Sequence, residues 1–390
     1  MSYYLSNIDF ERHNEEVKRV WEAFHVQHPI RVPVMLGINP RIYLLNPVLN
    51  PEGITFQHYS EDPDLMARVQ LASQHYIRHH MLQDAEMGLP QTGWAISVDF
   101  QNYYEAAWFG CEVHYRDGQV PDTRPILGDD NKRMLFDRGL PDPFTAGVMA
   151  KNWRFYEHMK ARLESYAHSG LPAISVSPSG LGTDGPMTVA ASLRGATELC
   201  MDLYEDPDYV RELLLYITKA TIDRIKAFRE ALGQEMKPGI WGFADDSIEL
   251  VSAEMYKEFV LPYHKMLVGE LAGEGPHSIH LCGDVDRLMP TLARELNIDT
   301  WDAGFPVDYA GVREALGPDF LIQTGPTVAL LLHGTPADVE AESRRILDSG
   351  ITRGGRFILR DANNLSPCTP VENVAAMYET ARQFGPPEAA

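Results

Sequence analysis

The segment HSIHLCGDVDRLMPTLARELNIDTWDAG (277–304) contains two short apolar runs separated by a helical pattern. The runs are HSIHLCG (277–283) and IDTWDAG (298–304), and their hydrophobicity is continuous rather than alternating. Such runs are typical of strands that are buried on both faces, as in a parallel sheet wrapped by helices. The segment therefore predicts an α/β protein.

Similar runs recur along the chain, and helical patterns lie between them. The other six are RVPVMLGI (31–38), WAISVDF (94–100), AISVSPS (173–179), GIWGFADD (239–246), FLIQTG (320–325) and RFILRD (356–361). Eight strand-helix units in 390 residues fit a single (β/α)₈ barrel domain spanning 1–390. A doubly wound open sheet is the alternative that the same alternation allows.

Several helices have recognisable starts. Asp206 and Pro207 are expected to begin one helix, as cap and first-turn residue. Thr335 with Asp338, and Thr369 with Glu372, have the spacing of capping boxes. Two further helical patterns, at 62–82 and 143–167, fill the long gaps between early strands, so we expect helical additions to the barrel there.

Composition narrows the functional classes. The net charge is −21, from 55 acidic and 34 basic residues, with no Lys/Arg cluster that would reverse it locally. This charge disfavours nucleic acid, anionic membranes and polyanionic substrates. No run of about 18 apolar residues and no signal-peptide pattern is found, and the four cysteines are scattered singly. We therefore expect a cytoplasmic protein with reduced cysteines that acts on a small molecule.

His280 and Cys282 are the most specific pair of candidate site residues. Side chains at positions i and i+2 of a strand point to the same face, so both could reach one ion. Zn²⁺ accepts imidazole nitrogen together with thiolate sulfur, and a catalytic zinc site has three protein ligands and one open position. The alternative is a buried cysteine beside a hydrogen-bonded core histidine.

A third metal ligand is not evident from spacing alone. Cys368 is the candidate, because it follows the eighth strand. It also directly precedes Thr369, so it could equally be a small residue at a helix entrance. Asn363 lies nearer the strand end and is a poorer metal ligand but a good amide donor and acceptor for substrate.

Other polar side chains follow the predicted strands, where the active sites of barrels lie. Asp99, Asp245 and Asp246 are candidates for acid-base catalysis, metal binding or substrate anchoring. Neighbouring strand residues face opposite sides, so we expect only one of Asp245 and Asp246 to point inward and the other to cap a helix or form a salt bridge. Arg41 and Arg360 are candidate anion clamps.

The chain resembles the uroporphyrinogen decarboxylase superfamily, whose members are single (β/α)₈ barrels. The resemblance is strongest in four segments: ADDSIELVSAEMYKEFVLPYHKML, HLCGD, GPTVALLLHGTPADVE and GGRFILRDANNLSPCTPVENVAAMY. It continues more weakly through SVDFQNYYEAAWFGCEVHYRDG and GPMTVAASLRG. The resemblance implies one of two chemistries.

One branch consists of porphyrinogen decarboxylases, which use no metal or cofactor. Asp99 matches their central aspartate, which contacts the pyrrole nitrogens. Their arginine-bearing RQAGR segment resembles MLGINPRIY here, which retains only Arg41, and the histidine of their last strand-loop falls on Asn363. Their tyrosine has no counterpart in GPMTVAASL. Uroporphyrinogen is therefore not the expected substrate.

The other branch consists of zinc-dependent methyltransferases that act between a corrinoid protein and a thiol. His280 and Cys282 match their His-x-Cys, while their remaining cysteine ligand falls on Asn363 and Cys368 is displaced by five positions. Either Cys368 reaches back, or another group such as an aspartate completes the ligand set, or no zinc binds. This branch implies zinc as cofactor and a corrinoid carrier as partner, and barrels of this kind often form homodimers.

Three hypotheses follow. Metal-assisted methyl transfer ranks first, because it alone gives His280 and Cys282 a shared purpose. Cofactor-free decarboxylation of a porphyrinogen or another carboxylated substrate ranks second and rests on Asp99. A barrel that binds a small metabolite or a corrinoid carrier without turnover is the third.

Overall fold

The computed structural model describes residues 8–387. The expectation that the amino-terminal segment is no signal peptide falls partly on residues 1–7, which lie outside this range. Among the described residues, none of the helices combines the length and hydrophobicity that crossing a bilayer requires.

Eight parallel strands coincide with the eight apolar runs and confirm the α/β prediction. They are β1 (Val34–Met35), β2 (Trp94–Ser97), β3 (Leu171–Ser177), β4 (Gly242–Ala244), β5 (His277–Leu281), β6 (Ile298–Ala303), β7 (Leu321–Thr324) and β8 (Phe357–Arg360). Six of them form one sheet in the order β1-β8-β7-β6-β5-β4, and β2 pairs with β3 separately. The first strand lies beside the last, with Val34 opposite Leu359, which is the closure of a barrel and not of a doubly wound sheet.

Helices surround the strands, and one long member packs along the barrel. The α-helices are α1 (Phe10–His25), α2 (Arg41–Leu44), α3 (Phe56–Glu61), α4 (Pro63–His80), α5 (Tyr104–Trp108), α6 (Met134–Arg138), α7 (Met149–Ala161), α8 (Pro186–Arg194), α9 (Ala196–Glu205), α10 (Pro207–Leu232), α11 (Ala253–Met255), α12 (Leu261–Leu271), α13 (Met289–Leu296), α14 (Tyr309–Leu316), α15 (Val328–His333), α16 (Pro336–Ile346) and α17 (Val371–Phe384). Short 3₁₀ or π turns lie at Gln101–Tyr103, Leu163–Ser165, Asp246–Leu250, Tyr256–Val260 and Leu347–Ile351, and short extra strands at Val113–His114, Asp122–Thr123 and Ala167–His168.

The alternation of side chains along β5 separates the core from the site. Ile279 and Leu281 are buried, with 1% and 0% exposure, whereas Ser278 and His280 point the other way and are partly exposed. Burying each such aliphatic side chain contributes roughly 1.5–3 kcal/mol. The apolar half of the strand therefore holds the fold, and the polar half is free for function.

Most helix starts follow the sequence signals. Asp206 caps α10, with Pro207 in the first turn, and Thr335 and Asp338 form the predicted capping box of α16. The predicted box of Thr369 and Glu372 is wrong. Helix α17 begins at Val371 after Pro370, because the Thr369 hydroxyl turns back to donate to the Ser366 carbonyl at 2.8 Å.

Both predicted helical additions are present. The pattern at 62–82 forms α4, whose N-cap Asp62 accepts hydrogen bonds from the first-turn amides. The pattern at 143–167 forms α7, which ends at Ala161 and is shorter than the pattern suggested.

Candidate functional site

Three side chains from two neighbouring strand ends meet at the mouth of the barrel. His280 and Cys282 lie at the end of β5, and Asp246 follows β4, which pairs with β5. One ligand atom from each of the three lies within 4.8 Å of the other two. Imidazole, thiol and carboxylate are all ligands that Zn²⁺ accepts. The predicted pair is therefore joined by an aspartate, one of the alternatives that the sequence left open.

The separations between the candidate ligand atoms are close to those of a tetrahedral zinc site. His280 Nε2 lies 3.5 Å from Cys282 Sγ and 4.0 Å from Asp246 Oδ1. Standard zinc bond lengths imply separations of about 3.5 Å for nitrogen and sulfur and about 3.4 Å for nitrogen and oxygen. The first pair fits as it stands, and the second requires a small movement of the Asp246 side chain.

A charged pair behind His280 fixes the orientation of the imidazole. Asp302, at the end of β6, lies 3.0 Å through Oδ2 from His280 Nδ1. Its other oxygen lies 2.7 Å from Arg360 Nη1. A carboxylate that accepts the Nδ1 proton directs Nε2 toward a metal, as in many zinc sites. Burial lowers the pKa of His280, but the contacts with Asp302 and Cys282 outweigh it and raise the pKa to about 10.

Backbone contacts hold the thiol and the carboxylate next to each other. The Cys282 amide donates to Asp246 Oδ1 at 2.8 Å. On the other side, a Cβ at Gly304 would lie 2.6 Å from Cys282 Sγ, so a larger residue would displace the sulfur. Burial raises the pKa of Asp246, and the Cys282 amide and His280 oppose that shift.

Asp245, predicted as a catalytic candidate, is instead part of the buried framework. Its carboxylate accepts hydrogen bonds from the Met187 and Thr188 amides and the Thr188 hydroxyl, at the start of α8. It also lies 2.8 Å from His264 Nε2, and both side chains are fully enclosed. Both residues lie after β4, where a 3₁₀ turn begins at Asp246, and of the two it is Asp246 whose carboxylate lies beside His280 and Cys282. A helix cap or a salt bridge was expected for one of the two carboxylates, and Asp245 contacts both the first-turn amides of α8 and His264.

The structure does not bring Cys368 into the metal-ligand cluster. Its sulfur lies 3.8 Å from the Leu45 carbonyl, and the residue is exposed. Asn363, in the loop after β8, is held by local contacts with Arg360 and Asn364. Asp246, not Cys368, is the third candidate ligand.

Arg360 and Asn363, predicted to bind substrate, are tied to each other. Arg360 donates to the carbonyls of Asp361 and Asn363 and pairs with Asp302. Asn363 accepts a side-chain hydrogen bond from Asn364. Arg360 therefore positions Asp302, and its guanidinium is not free to clamp an anion.

Asp99 and Arg41 form a second polar group. The Asp99 carboxylate accepts hydrogen bonds from the Tyr59 hydroxyl and from the backbone and side chain of Gln101. Burial raises the pKa of Asp99 despite these bonds. Arg41 donates to Gln101 and Asn102. Asp99 lines a cavity of about 520 Å³, separate from the one beside His280.

A cavity of about 480 Å³ lies beside the candidate metal ligands, and it contains a residue that sequence reasoning missed. His280 and Asp302 line it together with Ser278, Thr300, Gln323 and Asp184. Burial raises the pKa of Asp184 to about 7, and the charges of Glu105 and Asp246 add to the shift. Asp184 lies in the segment GLGTDGP, which leads into α8 and is outside any apolar run. The only sequence signal for it is an acidic residue within a glycine-rich segment.

Comparison with known proteins points to the same family that the motifs suggested. A family model for uroporphyrinogen decarboxylase (URO-D) matches residues 95–384. A methylated-thiol–coenzyme M methyltransferase of Methanosarcina mazei is 29% identical over 301 residues, which cover 74% of this chain and 72% of the relative. A methylcobamide:CoM methyltransferase of the same organism is 27% identical over 307 residues, which cover 78% of this chain and 84% of the relative.

Two further matches are more distant. A uroporphyrinogen decarboxylase of Coxiella burnetii is 24% identical over 187 residues, covering 47% of this chain and 49% of the relative. The solved structure of a methyltransferase from Methanosarcina mazei has a TM-score of 0.64 at 18% identity, covering 94% of this chain and 98% of that one. This structural likeness supports the fold.

Proposed function

Because the chain belongs to the uroporphyrinogen decarboxylase family, we propose that it is a methyltransferase that moves a methyl group between a corrinoid and a zinc-activated thiol. The observation that carries this proposal is the convergence of Asp246, His280 and Cys282 at the barrel mouth. The two relatives that match about three quarters of the chain, at 74% and 78%, are both methyltransferases.

The residues around the cluster have distinct tasks in this proposal. Asp246, His280 and Cys282 would hold the metal, which when bound would lower the pKa of a coordinated thiol and supply a thiolate near neutral pH. Asp302 accepts a hydrogen bond from the Nδ1–H group of His280, so that Nε2 presents its lone pair to the metal. Arg360 holds Asp302 in place.

The methyl transfer needs no oxidant, reductant or other reagent besides the thiol and the methylated corrinoid. A bond forms between the thiol sulfur and the methyl carbon, and the bond from that carbon to the corrinoid cobalt breaks. The electron pair of the broken bond stays on the corrinoid, and the thiol proton is released to solvent. The cavity beside His280 would hold the thiol in line with the methyl group. The corrinoid would be presented by a carrier protein, which we propose as the partner.

Decarboxylation is the second candidate, because Asp99 forms a polar group in a cavity of about 520 Å³. A substrate with several carboxylates would need free cationic side chains. Arg41 is bonded to Gln101 and Asn102, and Arg360 is paired with Asp302. Because neither arginine is free to bind a substrate carboxylate, decarboxylation ranks below methyl transfer.

Metal content tests the proposal first. Purified, tag-free wild type should retain about one zinc per chain, and His280→Ala should lose it. His333→Ala, which changes an exposed histidine at the end of α15, is the matched control and should retain the metal. Absence of zinc from wild type, even after zinc is offered under reducing conditions, would contradict the proposal and place decarboxylation first. Zinc-loaded protein should then demethylate free methylcobalamin in the presence of a thiol. The absorbance of the methylcobalamin measures this reaction.

A further inference from the structure

The cavity beside the metal-ligand cluster has an unusual charge pattern. Asp184, Asp302 and His280 are its ionisable side chains besides Tyr104, and no lysine or arginine lines it in the part of the chain described here. The remaining polar groups are neutral hydroxyls and amides, from Ser278, Thr300 and Gln323 among others. Once His280 binds a metal its imidazole is neutral, so a ligand that enters the metal-loaded cavity meets acidic and neutral side chains.

The acidic groups differ in whether their charge is already balanced. Asp302 pairs with Arg360 at 2.7 Å. Glu105, behind the cavity wall, pairs at 2.8 Å with the fully buried Arg224. That leaves Asp184, whose carboxyl is joined by no ion pair within residues 8–387, as the acidic group available to a ligand.

The loop that carries Asp184 is rigidly held. The Asp184 amide donates to Glu105 Oε2 at 2.6 Å, and the Thr183 hydroxyl donates to Glu105 Oε1 at 2.9 Å. Arg224 donates to the carbonyls of Gly180 and Gly182 in the same loop. The network fixes the backbone on both sides of Asp184 and leaves its side chain to the cavity. Such an arrangement suits the recognition of one specific charge on a ligand.

We infer that the thiol substrate carries a positively charged amine, which Asp184 binds, rather than an anionic group such as a sulfonate or a carboxylate. This inference rests on the proposed function, because it places the sulfur at the cluster of Asp246, His280 and Cys282. An ammonium would balance the charge of Asp184, whereas a sulfonate would face Asp184 with no lysine or arginine in the described lining to offset the repulsion.

The test uses three thiols that share the HS–CH₂–CH₂ unit and differ in charge: 2-aminoethanethiol, 2-hydroxyethanethiol and 2-mercaptoethanesulfonate. Each is titrated into protein loaded with Co²⁺ in place of Zn²⁺, and the sulfur-to-metal absorption band reports binding without turnover. In wild type, the aminothiol should bind on the order of tenfold more tightly than the sulfonate. In Asp184→Asn, this preference should fall about tenfold while the neutral thiol is unaffected.

Asp348→Asn is the matched control, since Asp348 is exposed and lies outside the cavity lining. The ratio between variants cancels the intrinsic acidity of each thiol. A sulfonate that binds as tightly as the aminothiol, or an unchanged ratio in Asp184→Asn, would overturn the inference and leave the proposed function standing. Protein that retains no metal would overturn both. If Asp184→Asn fails to fold, the ranking of the three thiols by wild type decides the question, after each affinity is divided by that of the same thiol for free Co²⁺.

Discussion

Asp302 offers the sharpest test of how the site is held, because one substitution alters a single link of the network. Asp302→Asn keeps the size of the side chain and removes the charge that faces both His280 and Arg360. Removal of a carboxylate that orients a metal-binding histidine typically weakens metal affinity about 10- to 100-fold. That loss corresponds to about 1.4–2.7 kcal/mol of binding free energy.

The size of the loss should depend on pH, because Asp302 also stabilises the proton that competes with the metal. The pKa of His280 is raised to about 10, so in wild type a proton must leave the ring when a metal binds at neutral pH. Without the Asp302 charge this proton leaves more easily, which partly offsets the weaker metal contact. The deficit of Asp302→Asn should therefore be smallest near pH 6.5 and should grow toward pH 8.5.

Competition with a chromogenic zinc chelator measures both quantities. Wild type, Asp302→Asn and Asp299→Asn are compared at several pH values, with circular dichroism to check the fold. Asp299 lies on the same strand, and its carboxylate contacts the Thr300 hydroxyl and no candidate ligand, so its variant should match wild type. Equal zinc affinity for Asp302→Asn and Asp299→Asn across this pH range would refute the role of Asp302.

Three further predictions concern ligands and buried charges. Cys282→Ser should abolish zinc retention and Cys368→Ser should leave it intact, as measured by elemental analysis; loss of zinc from both would restore Cys368 as a ligand. The pKa of the enclosed Asp361 is raised to about 7. Between about pH 4 and pH 7 the native state therefore holds a proton that the unfolded chain has released. Wild type loses stability as the pH rises through this range. Asp361→Asn should therefore gain up to about 4 kcal/mol over wild type between pH 4.5 and 8 in urea unfolding, and a constant difference would contradict this. Glu105→Ala should lower the free energy of unfolding by about 3–5 kcal/mol, because it strands the buried Arg224, and a loss below about 1 kcal/mol in the same assay would argue against it.

The strands could be predicted from the sequence because barrel strands carry a strong local signal. Ile279 and Leu281 are buried, and the apolar run that contains them predicts this burial directly. The pairing of Val34 with Leu359 could be predicted only indirectly, because eight apolar runs indicate a barrel and a barrel pairs its first strand with its last. The end of α7 and the start of α17 were less predictable, since they depend on turns whose hydrogen bonds compete locally.

The candidate site was predictable in part, for reasons of distance along the chain. His280 and Cys282 share a strand, so alternation alone places them together. Asp246 joins them because β4 pairs with β5, a contact that spacing does not report. The position of Cys368 depends on the path of the loop after β8, which no periodic pattern constrains. Asp184 precedes a helix instead of ending an apolar run, so the rule that finds residues at strand ends passes over it.

Asp245 and Asp246 show how a stable barrel can carry an adjustable ligand. Four contacts, with Met187, Thr188 and His264, fix Asp245 and with it the backbone at the end of β4. Within residues 8–387 Asp246 has fewer contacts, since one amide, that of Cys282, donates to its carboxylate. Closing the 4.0 Å gap between Asp246 Oδ1 and His280 Nε2 by about 0.6 Å requires a small movement of the Asp246 side chain. Because Asp245 anchors the neighbouring backbone, we expect the site to close on a metal while the hydrogen bonds of Asp245 stay intact.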